Sequence, residues 1–211
     1  EKIHVEENGA VRPIAYGDIA ILFKNTTSSH LYEKELSDRG IPFYAVKGRG
    51  FFDKQEIKDL MNALQFLENP NLDIPLAGIL RSPLVGLTDD GLFWLAQTSK
   101  REDKESPLSR CLGDSHLLKE LSLEDLRRLK KFKDWTEELR CSKNKFKISE
   151  LLEAILRKTH YKTKVFTKPY GRQAIANISK LVSLARELEA KGLAGVEDFI
   201  TFLKRLSEKE I

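Results

Sequence analysis

Apolar residues recur at helical spacing along most of the chain beyond about residue 53. The clearest stripe, which ends at Asn69-Pro70, is formed by five residues: Ile57, Leu60, Met61, Leu64 and Leu67. Asp53 and Glu56, three residues apart, form a capping-box pattern that predicts where this helix begins. Further helices are predicted from Asp73, after caps at Thr88, Ser122 and Ser149, over 172–190 and over 196–206. No strand pattern is evident after about residue 69.

The first 68 residues show a different pattern. The run "DIAILF" at 18–23 is apolar and rich in branched residues, which predicts a strand buried on both faces. A short helix is predicted over 28–40, and "PFYAV" at 42–46 predicts a second strand. Strand, helix and strand in this order form a βαβ unit with parallel strands. Two strands do not make a stable sheet alone, so this part is expected to be incomplete.

These patterns predict a mainly α fold with a small α/β part at its start. The expected division is a partial α/β unit over 1–68 and an all-helical subdomain over 69–211. Of the 211 residues, 41% are hydrophobic and 32% charged, and no apolar run is long enough to cross a membrane. Cys111 and Cys141 show no C-x-x-C spacing, which suits a reducing cytoplasm.

Charge is distributed unevenly along the chain. Residues 1–68 carry nine basic and eleven acidic side chains, whereas residues 141–172, hereafter the basic segment, carry nine basic and two acidic ones. Within it, "RKTHYKTKVFTKPYGRQ" interleaves cations with Tyr161, Phe166 and Tyr170, a composition suited to phosphates and bases. The alternative is a solvated loop whose aromatic residues anchor it to the helices. The basic face at 127–133 is interpreted as an ordinary solvated surface, because acidic neighbours offset its charge.

A second candidate surface follows the two predicted strands. The turns "FKNTTSS" and "KGRG" would both lie at the carboxyl edge of a parallel sheet, where ligands usually bind. Four residues are therefore predicted to line one phosphate track: Lys24, Thr26, Lys47 and Arg49. Phe51 and Phe52 are predicted to pack the second turn onto the protein rather than to stack on bases.

The sequence contains no recognisable catalytic motif. There is no G-x-x-x-x-G-K-[ST], no H-E-x-x-H and no G-x-S-x-G, and the four histidines are isolated. No catalytic residue and no metal ligand is therefore predicted, and the chain alone is expected to be inactive as an enzyme.

The early part of the chain resembles the second RecA-like domain of UvrD/Rep-type superfamily 1 DNA helicases. The residues that carry the resemblance are Phe23-Lys24, Pro42-Phe43-Tyr44, Gly48, Phe51-Phe52 and Glu56-Ile57-Lys58-Asp59. The stretches "LAGILRSPLVGLTDDGLFWLA" and "YGRQAIANISKLVSLARELEAKGLAGVEDFITFLKRL" are similar to AddA-type, RecB-like helicase–nucleases. The resemblance covers nearly the whole chain and is looser between them.

The resemblance implies a fragment: the start of motor domain 2A over 1–68 and an inserted helical subdomain, 2B, over 69–211. ATP and Mg²⁺ would act in the parent protein, with no cofactor in this chain. Lys24 falls where the family contacts single-stranded DNA, whereas Gly50 stands at the position of a family lysine, so Lys47 or Arg49 would have to replace it. The subdomain would contact duplex DNA through part of the basic segment: Lys158, Lys162, Lys164, Lys168 and Arg172.

The parent would be an ATP-dependent helicase, with or without a nuclease, in double-strand break processing. Expected partners are DNA, the rest of the motor and a second helicase–nuclease subunit, in the cytoplasm and without a membrane. The alternative function is a helical module that docks a partner subunit through its basic surface and does not contact DNA.

Overall fold

The computed structural model describes residues 3–7, 10–25, 28–41, 43, 51–101, 107–168, 170–193 and 195–209. Eleven α-helices account for most of these described residues. They are α1 (Ser29–Asp38), α2 (Gln55–Glu68), α3 (Asp73–Arg81), α4 (Asp89–Arg101), α5 (Leu108–Cys111), α6 (Ser115–Glu120), α7 (Leu123–Ser142), α8 (Ile148–Thr159), α9 (Tyr161–Phe166), α10 (Gly171–Ala190) and α11 (Val196–Lys209). The predicted mainly α class is therefore confirmed.

Helix α2 lies at the centre of the helical body, the packed unit formed by α2 to α11. Leu60 and Leu64 on its apolar stripe are fully buried, and the helix packs against α3, α7, α8, α10 and α11. The division at residue 68 stays a prediction. The structure shows that α2 itself is packed among the helices that follow it.

The predicted helix starts are confirmed at two caps and wrong at two others. The hydroxyl oxygens of Thr88 and Ser122 accept the amides of Gly91 and Asp125, both at 3.1 Å, as N-caps do. Helix α2 instead begins at Gln55, because Asp53 is drawn into an ion pair with Lys58.

Ser149 is not a helix cap, since it lies within the first turn of α8. Its amide donates to one carboxylate oxygen of Glu189 at 2.7 Å and its hydroxyl to the other at 2.9 Å. This contact ties the start of α8 to the end of α10. The predicted long helix over 172–190 is confirmed as α10, which begins one residue earlier.

The N-terminal strands differ from the prediction. Strands β1 (His4–Glu7) and β2 (Ala10–Pro13) form an antiparallel ribbon in which His4 pairs with Pro13 and Glu7 with Ala10. The predicted strand over 18–23 is wrong, because residues 16–18 form a 3₁₀ turn and residues 19–23 belong to no strand. The described strands are therefore not parallel. Of the second predicted strand, Phe43 is in no strand and the other residues lie outside the described ones.

A local network around Asp18 explains why no strand begins there. The Asp18 carboxylate accepts both terminal nitrogens of Arg12, at 2.6 and 2.7 Å, and the Ala15 amide at 2.8 Å. The Arg12 side chain first, and then the Ala15 amide, hold the pKa of Asp18 down at about 2. These bonds close a turn where the apolar pattern predicted an extended chain.

Candidate nucleic-acid interface

The short helix α9 and the start of α10 form a tight corner within the basic segment. His160 and Tyr170 both have left-handed backbones, at φ 50° and 64°, where α9 and α10 begin. At Gly171 a Cβ atom would lie 2.3 Å from the carbonyl oxygen of Phe166, so only glycine fits. The corner therefore holds Lys168 and Tyr170 beside the first turn of α10.

This corner forms one wall of a cleft of about 450 Å³, hereafter the α2–α10 cleft. The other walls come from α1, from the turn at Phe51 and from the first two turns of α2. Cationic side chains from three directions line the cleft: Lys34, Lys54, Lys168 and Lys180. An adjoining cleft shares Lys168 and Tyr170 and includes Arg172.

The floor of the α2–α10 cleft contains a buried carboxylate. Asp59 accepts the Tyr161 hydroxyl at 2.6 Å and the side-chain amide of Gln55 at 2.7 Å. Burial raises the pKa of Asp59 although both hydrogen bonds and the nearby Lys168 oppose it, while Glu56 adds to the rise. Burial, and then Asp59, raise the pKa of Tyr161, so the phenol remains a donor.

A second polar chain runs along the same floor. Gln173 donates to Asn177 at 2.9 Å, and Asn177 donates to one carboxylate oxygen of Glu56 at 2.6 Å. The Gln173 carbonyl oxygen is buried without a hydrogen-bond partner among the described residues. The floor is thus rich in acceptors, whereas the lysines at the mouth are donors.

The aromatic pair at 51–52 has the predicted packing role. Phe51 is buried, and its ring meets that of Phe52 edge-on with centroids 5.1 Å apart. The Lys180 ammonium lies 4.3 Å from the centroid of the Phe51 ring, a cation–π contact. Phe51 is therefore anchored to α10.

The predicted duplex-binding residues do not all meet at one place. Lys168 and Arg172 lie at the two clefts, whereas Lys158 pairs with Glu138 at 2.6 Å. The Lys164 ammonium donates to the Pro83 carbonyl oxygen at 2.8 Å.

Lys164 belongs to a second cationic group, which borders the turn between α3 and α4. Partial burial, followed by the charges of Lys131 and Arg128, lowers the pKa of Lys164. Arg128 itself donates to the Gly86 carbonyl and pairs with Glu124. The basic face of α7 therefore contributes to this turn through contacts within the protein.

Of the predicted single-strand track, the structure describes only Lys24, which is exposed in a bend. Thr26, Lys47 and Arg49 lie outside the described residues. Of the three aromatic residues predicted to alternate with the cations at 157–173, Phe166 and Tyr170 are exposed, but Tyr161 is buried and is a packing residue.

Sequence reasoning missed the polar floor of the cleft. Asp59 and Tyr161 are 102 residues apart, so no local pattern joins them. One signal was present: Asp59 stands four residues before Ala63 and seven before Phe66, so a charged residue shares a helix face with two apolar ones. A carboxylate in that position is expected to have a buried partner.

Two further observations limit the chemistry of the described residues. No helix among them has the length and apolar character needed to cross a bilayer. Within the same residues, no group of three or more histidine, cysteine or acidic side chains is placed to hold a metal ion. Cys111 and Cys141, both among the described residues, are not joined in a disulfide.

Comparison with known proteins gives a consistent family. The UvrD-like helicase C-terminal domain family matches residues 4–210. The A subunit of an ATP-dependent helicase/nuclease from Bacillus cereus (strain B4264) is 32% identical over 208 residues, which is 99% of this chain and 17% of that protein. Its namesake from Oceanobacillus iheyensis is 32% identical over 201 residues, 95% of this chain and 16% of that protein.

The chain thus spans about a sixth of the length of these curated relatives. The match with the family extends over both the N-terminal ribbon and the helical body. The chain belongs to the UvrD-like helicase C-terminal domain family.

Proposed function

We propose that this chain is a DNA-binding part of an ATP-dependent helicase/exonuclease that acts in recombinational repair of double-strand breaks. It contributes part of the single-strand track and a helical subdomain that contacts duplex DNA. The whole protein works in the cytoplasm together with a second, different polypeptide. ATP and Mg²⁺ bind to the rest of the motor, because this sequence has no phosphate-binding G-x-x-x-x-G-K-[ST] loop.

The observation that carries the proposal is the cationic rim at the α9–α10 corner. Two residues predicted to contact DNA, Lys168 and Arg172, line adjoining clefts, and Lys34 and Lys54 approach from α1 and the start of α2. Cations from separate elements that converge on one surface provide a suitable footprint for polyanion phosphates. The helicase names of the relatives agree with this use.

A salt titration of DNA binding tests the proposal. The binding constant of the 211-residue chain for a duplex with a single-stranded tail should fall as the salt concentration rises. The slope of log K against log salt concentration should be about −0.9 for each phosphate contacted. Lys168→Ala and Arg172→Ala should each lower the magnitude of the slope by about 1. Lys204→Ala is the matched control, because Lys204 is an exposed lysine on α11, away from the clefts.

The competing function is docking of a partner subunit without DNA contact. One observation weighs against DNA contact by the whole basic segment, because three cations in or near it are paired within the protein: Lys143 with Glu68, Lys158 with Glu138 and Arg186 with Glu153. Failure of the chain to bind tailed duplex at low salt would support the docking function and reject the DNA-binding proposal.

A further inference from the structure

The α2–α10 cleft has a mouth and a floor of opposite chemistry. Lys34, Lys54 and Lys168 are exposed lysines that line it, whereas Glu56 and Asp59 lie on the floor. Its volume of about 450 Å³ lies within the usual range for small-ligand sites. A ligand that satisfies both parts needs negative charge outside and hydrogen-bond donors inside.

Two acceptors on the floor lack a hydrogen-bond partner among the described residues, and one of them, Oε1 of Gln173, is buried. Each Asp59 oxygen already accepts one hydrogen bond, from Gln55 or from Tyr161, and Oε1 of Glu56 accepts from Asn177. Oε2 of Glu56 has no partner among the described residues, and the side chain is only half-buried. Glu56 therefore presents one free carboxylate oxygen to the cleft.

The mouth offers a flat aromatic surface as well as cations. Tyr170 lines the cleft with 66% of its surface exposed, and its left-handed backbone is held by the close approach of Gly171 to Phe166. An exposed ring beside lysines is the arrangement on which single-stranded nucleic acids stack.

These features favour a nucleotide over an acidic peptide. A peptide carboxylate that entered the cleft would approach the carboxylates of Glu56 and Asp59, and like charges repel. A nucleobase is uncharged, flat and can donate from an exocyclic amine, while its phosphate remains outside with the lysines.

We propose that the α2–α10 cleft receives one unstacked, amino-bearing base of single-stranded DNA. Glu56 Oε2 accepts from the exocyclic amine, Tyr170 stacks on the base, and Lys54 and Lys168 contact the flanking phosphates. This inference rests on the proposed DNA-binding function and adds a base preference to it.

The experiment compares two short fluorescent oligonucleotides of equal length and charge, one of deoxycytidine and one of thymidine. Cytosine presents an amine where thymine presents a carbonyl oxygen. The 211-residue chain should bind the deoxycytidine strand about fivefold more tightly, the value of roughly one hydrogen bond. Anisotropy titrations measure both dissociation constants.

Two variants separate the floor from the mouth. Glu56→Gln retains an acceptor for Asn177 but places an amide donor in the cleft, so the preference for cytosine should disappear or reverse. Lys168→Ala should weaken both strands by the same factor, and Lys204→Ala should change neither. Circular dichroism checks that each variant is folded. The comparison of the two strands with the wild-type protein tests the base preference even if a variant fails to fold.

Each result has a defined meaning. Equal affinity of the wild type for both strands would overturn the base site while leaving DNA binding intact. Absence of binding to either strand at low salt would instead reject the proposed function. Displacement of the deoxycytidine strand by an oligoglutamate peptide, with tighter peptide binding by Glu56→Gln, would assign the cleft to an acidic peptide and overturn the proposal.

Discussion

The N-terminal segment (3–41) and the helical body differ in whether their apolar side chains are exposed or buried. In the N-terminal segment Ile19, Ile21 and Leu22 are all more than half exposed, and Leu22 reaches 92%. In the helical body, the stripes of α2, α8 and α10 are buried against one another. A helix satisfies its own backbone and needs only a surface to pack on, whereas a strand needs hydrogen-bonded neighbours.

This contrast shows when an apolar pattern predicts a buried element correctly. The stripe of α2 specified a buried face because five later helices supply that surface within the same chain. The run at 18–23 pairs with neither of the described strands, β1 and β2. The run therefore keeps an apolar surface that is available for additional contacts.

The largest expected effect is a difference in protein stability between two leucine-to-alanine variants, one in each region. Leu64→Ala removes a fully buried side chain and should lower the free energy of unfolding by about 2–5 kcal/mol. Leu22→Ala should change it by less than about 0.5 kcal/mol, because Leu22 is exposed. Urea unfolding followed by circular dichroism measures both. Equal destabilisation by the two variants would show that the two regions share one core.

A second prediction concerns Asp125, which links the starts of α4 and α7. Its carboxylate accepts the Thr88 hydroxyl at 2.6 Å, the Thr88 amide at 3.2 Å and the Ser122 hydroxyl at 3.1 Å. Burial alone would raise the pKa of Asp125, but the hydrogen bonds from Thr88 and Ser122 and the charge of Arg128 outweigh it and lower the pKa.

Asp125→Ala should therefore destabilise the protein by about 1–3 kcal/mol at neutral pH. A lowered native pKa contributes stability that is fully present above the unfolded pKa of about 3.9 and is lost as pH falls through the native value. The difference between variant and wild type should shrink on acidification below about pH 4. Urea titrations at neutral and acidic pH measure this, and a difference that grows on acidification would contradict it.

A third and smaller effect is expected from removing one hydroxyl in each region. Tyr161→Phe takes away the donor to the buried Asp59 and should cost about 1 kcal/mol. Tyr32→Phe is the matched control, because Tyr32 is 52% exposed and keeps its edge-on contact with Phe23. Thermal unfolding compares them, and equal melting temperatures for the two variants would show that the buried hydroxyl adds nothing.

The smallest effect is confined to the N-terminal turn. Arg12→Ala should raise the pKa of Asp18 from about 2 toward its ordinary value, because the two guanidinium hydrogen bonds are lost. The chemical shift of the Asp18 side chain against pH measures it. Melting of the helical body should be unchanged, and a lower melting temperature would show that the turn supports the helices.

Much of the helical body was predictable because its signals are local. Thr88 and Ser122 cap helices as predicted, and Gly192, with φ 92°, follows α10 as a stop signal. The predicted helix start at Asp53 is wrong because the same carboxylate can either cap a helix or pair with Lys58. The folded structure decides which of these two contacts forms. At 18–23 the apolar pattern is typical of a strand, but the prediction is wrong because Arg12 closes a turn at Asp18, the first residue of the run.

The candidate site was predictable only at its rim. The basic segment identified Lys168 and Arg172, since charge composition is visible without a structure. Glu56, with its free carboxylate oxygen, looked like part of a helix cap. Its actual partner is Asn177, which is 121 residues away.

The sequence by itself determined the positions of most helices, the net charge of the basic segment and the family to which the chain belongs. These properties depend on residue order and composition over short stretches. The tertiary structure decided which polar groups meet: Asp59 with Tyr161, Asp125 with Thr88, and Glu56 with Asn177. Such pairs form only where packed helices bring distant side chains within hydrogen-bond reach and exclude water, and neither condition is encoded in a local pattern.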